Sequence, residues 1–295
     1  MRQIIRLFQS IWTKDDFYYI HLDSRSEFLL DHLKFLTEHK NVYITEQRFA
    51  IVWGGTTLLK MQMNAFQEIL DLKWNFDFIM NMSGSDYMVK TTKELKDYLS
   101  KNPGMNFVWG VKNDQDKTVD GMDKTFVECD NYLFNIGPRQ LPKGITYNFG
   151  SDWFTLSKDF IEYLVYAEED QLLQGLFSVY NYTNLASERF FLAALKNSKF
   201  CTKHIDHTLT GSSWDFKNKQ GCPKTRSTSD QTGCSPVSIK MDRWKELYSM
   251  IMTEDAFFVR KFDSTVDMTV LNKIDHHVHG KQVPNRYWLN IWHHK

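Results

Sequence analysis

Asp16-Phe17-Tyr18-Tyr19-Ile20-His21-Leu22, continued through residues 28–38 to Val42-Tyr43-Ile44, decides the fold. The first run is apolar, aromatic and short, which predicts a buried strand. Residues 28–38 place Phe28, Leu29, Leu33 and Leu36 on one face at helical spacing. Val42-Tyr43-Ile44 predicts a second strand. The rhythm then repeats. Residues 56–72 predict a long helix with Leu58, Leu59, Met63, Phe66 and Leu70 on its apolar face. Phe76-Asp77-Phe78-Ile79-Met80 predicts a third strand, and residues 91–99 a helix after it. Such alternation predicts an α/β fold with a mostly parallel, Rossmann-like sheet flanked by helices on both faces. Ligands of such sheets lie at the carboxyl ends of the strands. That directs attention to Asp23, Trp53-Gly54-Gly55 and Ser83-Gly84-Ser85-Asp86.

Upstream, residues 2–12 predict a helix carrying Ile4, Ile5, Phe8, Ile11 and Trp12. A sheet of this kind normally opens with a strand, so the pattern starts one element late and its first strand is expected to be missing. Downstream, residues 112–124 are polar and predict a loop. Residues 157–177 predict one long helix or two abutting ones, and residues 187–195 another. A long irregular loop is expected over residues 217–235, and closing helices over residues 241–252 and 266–277. With no repeat and no linker, the pattern predicts a single domain across residues 1–295.

The chain has 295 residues, with 36 Lys+Arg against 36 Asp+Glu, so whole-chain charge gives no sign of a nucleic-acid partner or an acidic membrane. Any basic site must be local. Aromatic residues make up 15%, which fits stacking on planar or sugar ligands and fits equally a core built from rings. No apolar run is long enough to span a membrane. Charge interrupts the apolar start Met1-Arg2-Gln3-Ile4-Ile5-Arg6, so it does not read as a signal peptide. The 4 cysteines are too few for a disulfide scaffold in a chain of this length.

Two carboxylates stand out. Asp152, in Gly150-Ser151-Asp152-Trp153-Phe154, is an acid among aromatics, or a turn residue. Glu188, in Ser187-Glu188-Arg189-Phe190-Phe191, falls in the first turn of a helix that Ser187 or Asn184 would cap, where a carboxylate also favours the helix dipole. Two such acids suit general acid/base work on a hydroxyl. Arg260-Lys261 follows the apolar run Ala256-Phe257-Phe258-Val259, so the pair reads as a diphosphate clamp or as a solvated strand end. Asp114-Gln115-Asp116 has the form of a metal-holding pair but sits in the polar loop. Gly84-Ser85-Asp86 offers one carboxylate, too few for a hard cation. Asp275-His276-His277-Val278-His279 reads as a polar helix end, because zinc spacing is lacking. Cys222 and Cys234 bracket the long loop as a disulfide of about 3 kcal/mol or as free thiols. Asn181-Tyr182-Thr183 and Asn81-Met82-Ser83 fit the glycosylation pattern.

The residues 17–23 with Arg25-Ser26, Val52-Trp53-Gly54-Gly55 and Asn81–Tyr87 resemble the protein O-xylosyltransferases of the core-2/I-branching group, as do five further blocks in order. These are Phe126-Val127-Glu128-Cys129-Asp130, the blocks around Asp152 and Glu188, Gly233-Cys234-Ser235-Pro236 and Phe257-Phe258-Val259-Arg260-Lys261-Phe262. These enzymes begin glycosaminoglycan chains, heparan and chondroitin sulfate, on proteoglycans. The resemblance implies a GT-A fold and a UDP-α-xylose donor. It implies a serine acceptor in an acidic Ser-Gly peptide of a core protein. It implies inversion in one displacement without a bound metal. Glu188 then corresponds to the general base and Asp152 to a carboxylate orienting xylose or acceptor. Arg260 and Lys261 correspond to the diphosphate clamp, and Asp23, Ile51, Val52, Trp53, Ser151 and Ser235 to nucleotide and sugar contacts. Family members are type II membrane proteins of the Golgi lumen, with a stem, an anchor and a C-terminal domain that this sequence is expected to lack. The family's second cysteine pair in the 222–234 loop is absent, and Cys201 is expected to lack its usual upstream partner. The alternatives are a related transferase using UDP-N-acetylglucosamine or UDP-glucuronate, and an inactive remnant.

Overall fold

A computed structural model describes residues 2–111, 121–214, 235–253 and 255–280. Asp114, Asp116, Cys222 and Cys234 lie outside the described residues.

The chain opens with α1 (Arg2–Ile11) and runs through β1 (Tyr18–Ile20), α2 (Glu27–Leu33), β2 (Val42–Ile44), α3 (Thr57–Asp71), β3 (Phe78–Met80), β4 (Tyr87–Met88) and α4 (Thr92–Ser100). The middle of the chain holds β5 (Asn106–Gly110), β6 (Lys124–Cys129), β7 (Tyr132–Pro138), β8 (Gly150–Ser157), α5 (Lys158–Tyr166), α6 (Gln171–Tyr180) and α7 (Ser187–Lys196). It closes with β9 (His204–Ile205), β10 (Thr210–Ser212), α8 (Trp244–Thr253), β11 (Phe258–Arg260) and α9 (Met268–His279). The region 157–177 is thus two helices. Asp170 ends the break between them by accepting from the N–H groups of Leu172 and Leu173.

Among the described residues, the strands do not join into one mostly parallel sheet. β1 and β2 pair in parallel, as the alternation predicts. β3, however, lies at one end of a mixed sheet ordered β3-β8-β5-β9, in which β8 runs antiparallel to both neighbours. A second mixed sheet is ordered β10-β11-β4, and β6 with β7 forms a hairpin. Local periodicity reports element type. It does not report that a strand from 70 residues further on will bridge β3 and β5, with Ile79 opposite Leu156 and Phe107 opposite Thr155. β1 is three residues long and half-buried, shorter and wetter than the buried strand predicted.

Two further expectations shift. Residues 28–38 do not make one helix: α2 stops at Leu33 and a 3₁₀ turn, Lys34–Glu38, follows. There Thr37 Oγ1 donates to the Lys34 carbonyl at 2.7 Å, competing with helical continuation. On α3 the buried stripe is Leu59, Gln62, Ala65, Phe66 and Ile69, with Leu58, Met63 and Leu70 half-buried at its border.

The main core packs α3, α5, α6 and α7 onto the β8 sheet. Its centre is a group of rings. Phe154 of β8 meets Phe191 of α7 at 4.6 Å, and both touch Phe66 of α3 at 5.9 Å. A second core joins α1, α8, α9 and β11. Arg6 crosses it, its Nε donating to Asp275 at 2.9 Å while Tyr87 Oη donates to the same carboxylate at 2.7 Å. Asp275 is therefore a buried, paired group rather than part of a polar helix end; His276 and His277 are exposed.

Candidate active site

β8 enters the site through Gly150. A Cβ there would stand 2.4 Å from the Trp109 carbonyl oxygen, so only glycine lets β8 close on β5 at this point. Asn81, just past β3, then braces the strand. Its Nδ2 donates to the Asp152 carbonyl at 2.6 Å and its Oδ1 accepts from the Phe154 N–H at 2.8 Å. Asp152 follows as a half-buried carboxylate, and Ser151 Oγ accepts from the Trp153 N–H at 3.0 Å.

Glu188 lies in the first turn of α7, as the sequence predicts. Neither Ser187 nor Asn184 caps that turn: the N-cap is Ala186, with no side-chain bond. Asn184 Oδ1 is buried without a hydrogen-bond partner. The turn is set instead by Leu185, which has φ +55° and accepts from the Glu188 N–H at 3.1 Å.

β11 delivers Arg260 at its end, with Lys261 next. Arg260 is 8% exposed, so it is not the solvated strand end of the alternative reading. Its Nε stands 3.3 Å from Asp86, and its guanidinium lies over the Trp153 ring, 3.4 Å from the centroid. Lys261 is half-buried.

Asp152 and Arg260 each act on the other and on both Glu188 and Lys261. Burial pushes the Asp152 carboxyl up to about 6 against the pull of Arg260 and Lys261. Burial pushes Glu188 up to about 8; the charge of Asp152 adds to the rise, and Arg189 and Arg260 oppose it. Burial lowers the proton affinity of both Arg260 and Lys261, with Asp86 and Asp152 restoring part of it. Asp152 and Arg260 thus lie within electrostatic reach of each other and of both Glu188 and Lys261.

A second group lies at the ends of β1 and β2. Asp23 accepts from Arg25 Nε at 2.8 Å and from the Ile51 N–H at 3.0 Å; the Arg25 guanidinium holds this carboxyl well below its usual range. Trp53 is 44% exposed. Val52 turns its side chain into a small cluster with Phe126 and Leu133, while its N–H donates to Thr57 Oγ1 at 3.0 Å and its carbonyl accepts from the Gly55 N–H at 3.0 Å. The backbone links the two groups, because the Leu185 N–H donates to the Gly54 carbonyl at 2.7 Å. Ser235 is half-buried two residues before Val237, whose N–H donates to Ser213 O; the Ser213 N–H in turn reaches the Arg260 carbonyl.

Sequence reading gave Glu128 no role of its own. From the hairpin it accepts from Thr56 Oγ1 at 2.9 Å and the Thr57 N–H at 2.7 Å, capping α3 and fixing the Trp53-Gly54-Gly55 loop. A Cβ on Gly55 would meet its Oε1 at 2.4 Å. A cap supplied from 71 residues away leaves no local signature. Among the described residues, no group of three His, Cys, Asp or Glu could hold a metal ion. No described helix is long and apolar enough to cross a membrane.

The chain is similar to known proteins along its whole length. The Core-2/I-Branching enzyme family model matches residues 1–238. Xylosyltransferase oxt of Drosophila melanogaster is 37% identical over 100% of this chain and 34% of its own. Xylosyltransferase 2 of Mus musculus is 36% identical over 99% of this chain and 34% of its own. Xylosyltransferase 1 of Canis lupus familiaris is 33% identical over 99% of this chain and 31% of its own. The chain therefore spans about a third of the length of these curated relatives. With a family model covering most of its residues, this chain belongs to the Core-2/I-branching enzyme family.

Proposed function

We propose that this chain is the catalytic part of a xylosyltransferase. It transfers xylose from UDP-α-xylose to a serine hydroxyl of an acidic, Ser-Gly-containing core-protein peptide. The observation that carries this reading is the cluster of Glu188, Asp152, Arg260 and Lys261, where a basic carboxylate and two desolvated cations share one electrostatic field. The names of the similar proteins support the donor sugar.

The step is a single displacement. The serine oxygen attacks the anomeric carbon as the bond from that carbon to the β-phosphate oxygen breaks. The departing UDP keeps the bonding pair, and the sugar inverts from α to β. The serine proton passes to the Glu188 carboxylate, whose raised proton affinity suits a base. Arg260 and Lys261 stabilise the charge growing on the diphosphate, so no divalent cation is needed there. Desolvation strengthens that stabilisation, because the groups are held in place before reaction. Asp152 orients the sugar or the acceptor hydroxyl. Asp23, Ile51, Val52, Trp53, Ser151 and Ser235 hold the nucleotide and sugar. Such enzymes act in the Golgi lumen, on nascent proteoglycans, at the start of heparan and chondroitin sulfate chains.

The test is transfer from a panel of UDP-sugars to a Ser-Gly peptide, with UDP binding followed by calorimetry. UDP-xylose should be preferred. Glu188→Gln should abolish transfer and leave UDP binding within about twofold. Wild-type turnover in that variant would remove Glu188 from the chemistry. Preference for UDP-N-acetylglucosamine or UDP-glucuronate would replace the donor. No UDP binding at all would make the chain a non-catalytic relative.

A further inference from the structure

Asp86 is the least exposed carboxylate near the cluster, at 0%, and the reaction as proposed does not use it. Its place is set by register. β4 pairs antiparallel with β11, Tyr87 opposite Val259, so Asp86 falls beside Arg260. On the far side, the Phe262 N–H donates to the Ser85 carbonyl at 2.7 Å. Loop 83–86 therefore holds both ends of the segment carrying the two cations.

Three hydrogen bonds and one ion pair engage the carboxylate. Its Oδ2 accepts from the Ser83 N–H at 2.6 Å and from Trp153 Nε1 at 2.9 Å. Its Oδ1 accepts from Ser83 Oγ at 3.0 Å and faces Arg260 Nε at 3.3 Å. Trp153 is thus held at its edge by Asp86, while its face carries the Arg260 guanidinium. An acid held by three hydrogen bonds and an ion pair, and shut off from solvent, is not placed to exchange protons with a substrate. It is placed to orient what it touches.

We propose that Asp86 is a positioning residue for the diphosphate clamp: it fixes the Trp153 ring by its edge and Arg260 by charge, so that the guanidinium is already aimed when the nucleotide arrives. The inference rests on the clamp reading given above. Burial opposes charge on Asp86 and on Arg260 alike, and the two offset one another's penalty. Arg260 unmatched by Asp86 would gain freedom to turn, and preorganisation would be lost.

Asp86→Asn isolates the effect. One amide oxygen can still serve Ser83 and Trp153, but the amide nitrogen then faces Arg260 with hydrogens instead of charge. The experiment compares affinity for UDP and for UMP, which lacks the second phosphate, by calorimetry on the whole chain. Asp86→Asn should leave UMP affinity within about twofold and weaken UDP binding at least about tenfold, or 1.4 kcal/mol. In an Arg260→Ala background it should weaken UDP binding no further, since it acts through that side chain. An unchanged UDP-to-UMP ratio, equal weakening of both ligands, or a loss additive with Arg260→Ala would each overturn the proposal. If Asp86→Asn does not fold, Trp153→Phe keeps an aromatic ring, smaller than the indole, and removes the Nε1 bond. That variant should lower the UDP-to-UMP ratio about threefold or more, and an unchanged ratio would overturn the proposal. A parent chain that binds UDP no better than UMP would instead remove the clamp itself, and Asp86's role with it.

Discussion

Leu185 and Gly54 are joined backbone to backbone, the N–H of one donating to the carbonyl of the other at 2.7 Å. Leu185 also receives the N–H of Glu188. One residue therefore fastens the Trp53-Gly54-Gly55 loop to the turn that carries the proposed base. Movement of the loop displaces the carboxylate.

Gly54→Ala tests that connection. Gly54 has φ +70°, and an added Cβ would stand 2.8 Å from Asn184 Oδ1. The substitution should cost about 1–2 kcal/mol of stability from backbone strain. Turnover should fall further than that loss implies, by about tenfold or more, because small displacements of reacting groups are expensive. Thermal melts and kcat measured on the same sample separate the two effects.

The pH profile follows from Glu188. A base must be ionised to act, and burial pushes this one up to about 8. The kcat/KM for the acceptor should therefore rise with pH and level off above about 8. Asp152→Asn removes a charge that adds to the rise, so the ascending limb of any residual activity should move to lower pH. Stability has the opposite slope. The folded-state value lies above the ordinary 4.5, so the native state holds the proton more tightly. Glu188 costs nothing below its unfolded value, and its cost grows as pH climbs through the folded one. Chemical denaturation across this window should show the decline in the parent chain and a smaller one in Glu188→Gln.

Arg6→Met should unfold most of the second core. It leaves the Asp275 carboxylate buried with only Tyr87 for company, a loss of about 3–5 kcal/mol. Adding Asp275→Asn removes the stranded charge and should recover a large part of it. Urea midpoints for the two variants and the parent measure this directly.

Turnover should survive a chelator at millimolar concentration. In the proposed mechanism Arg260 and Lys261 do the work a divalent ion would otherwise do, and their charge cannot be stripped by EDTA. Loss of activity that added magnesium or manganese restores would contradict this division of labour.

The sequence is most informative where chemistry is local. Glu188 in a first helical turn and Arg260-Lys261 at a strand end are both legible from spacing. The helices α1, α3, α4 and α7 follow from their apolar stripes and boundaries. The sheet order does not, because β8 reaches β3 and β5 from a distant part of the chain and leaves no periodicity in them. Asp275 misleads for a related reason: beside two histidines it reads as surface, and only Arg6, 269 residues away, makes it interior. Glu128 and Asp86 owe their positions to partners no local pattern contains.

The contact between Phe154 and Phe191 has a wider consequence. Phe154 sits two places after Asp152, and Phe191 three after Glu188, on elements that interlock through these rings. The hydrocarbon interior is therefore the gauge that sets how far apart the two acids stand. Ring size there is a hidden determinant of chemistry, and a change of volume in the dry interior would be felt at the wet surface as altered reactivity before it was felt as unfolding.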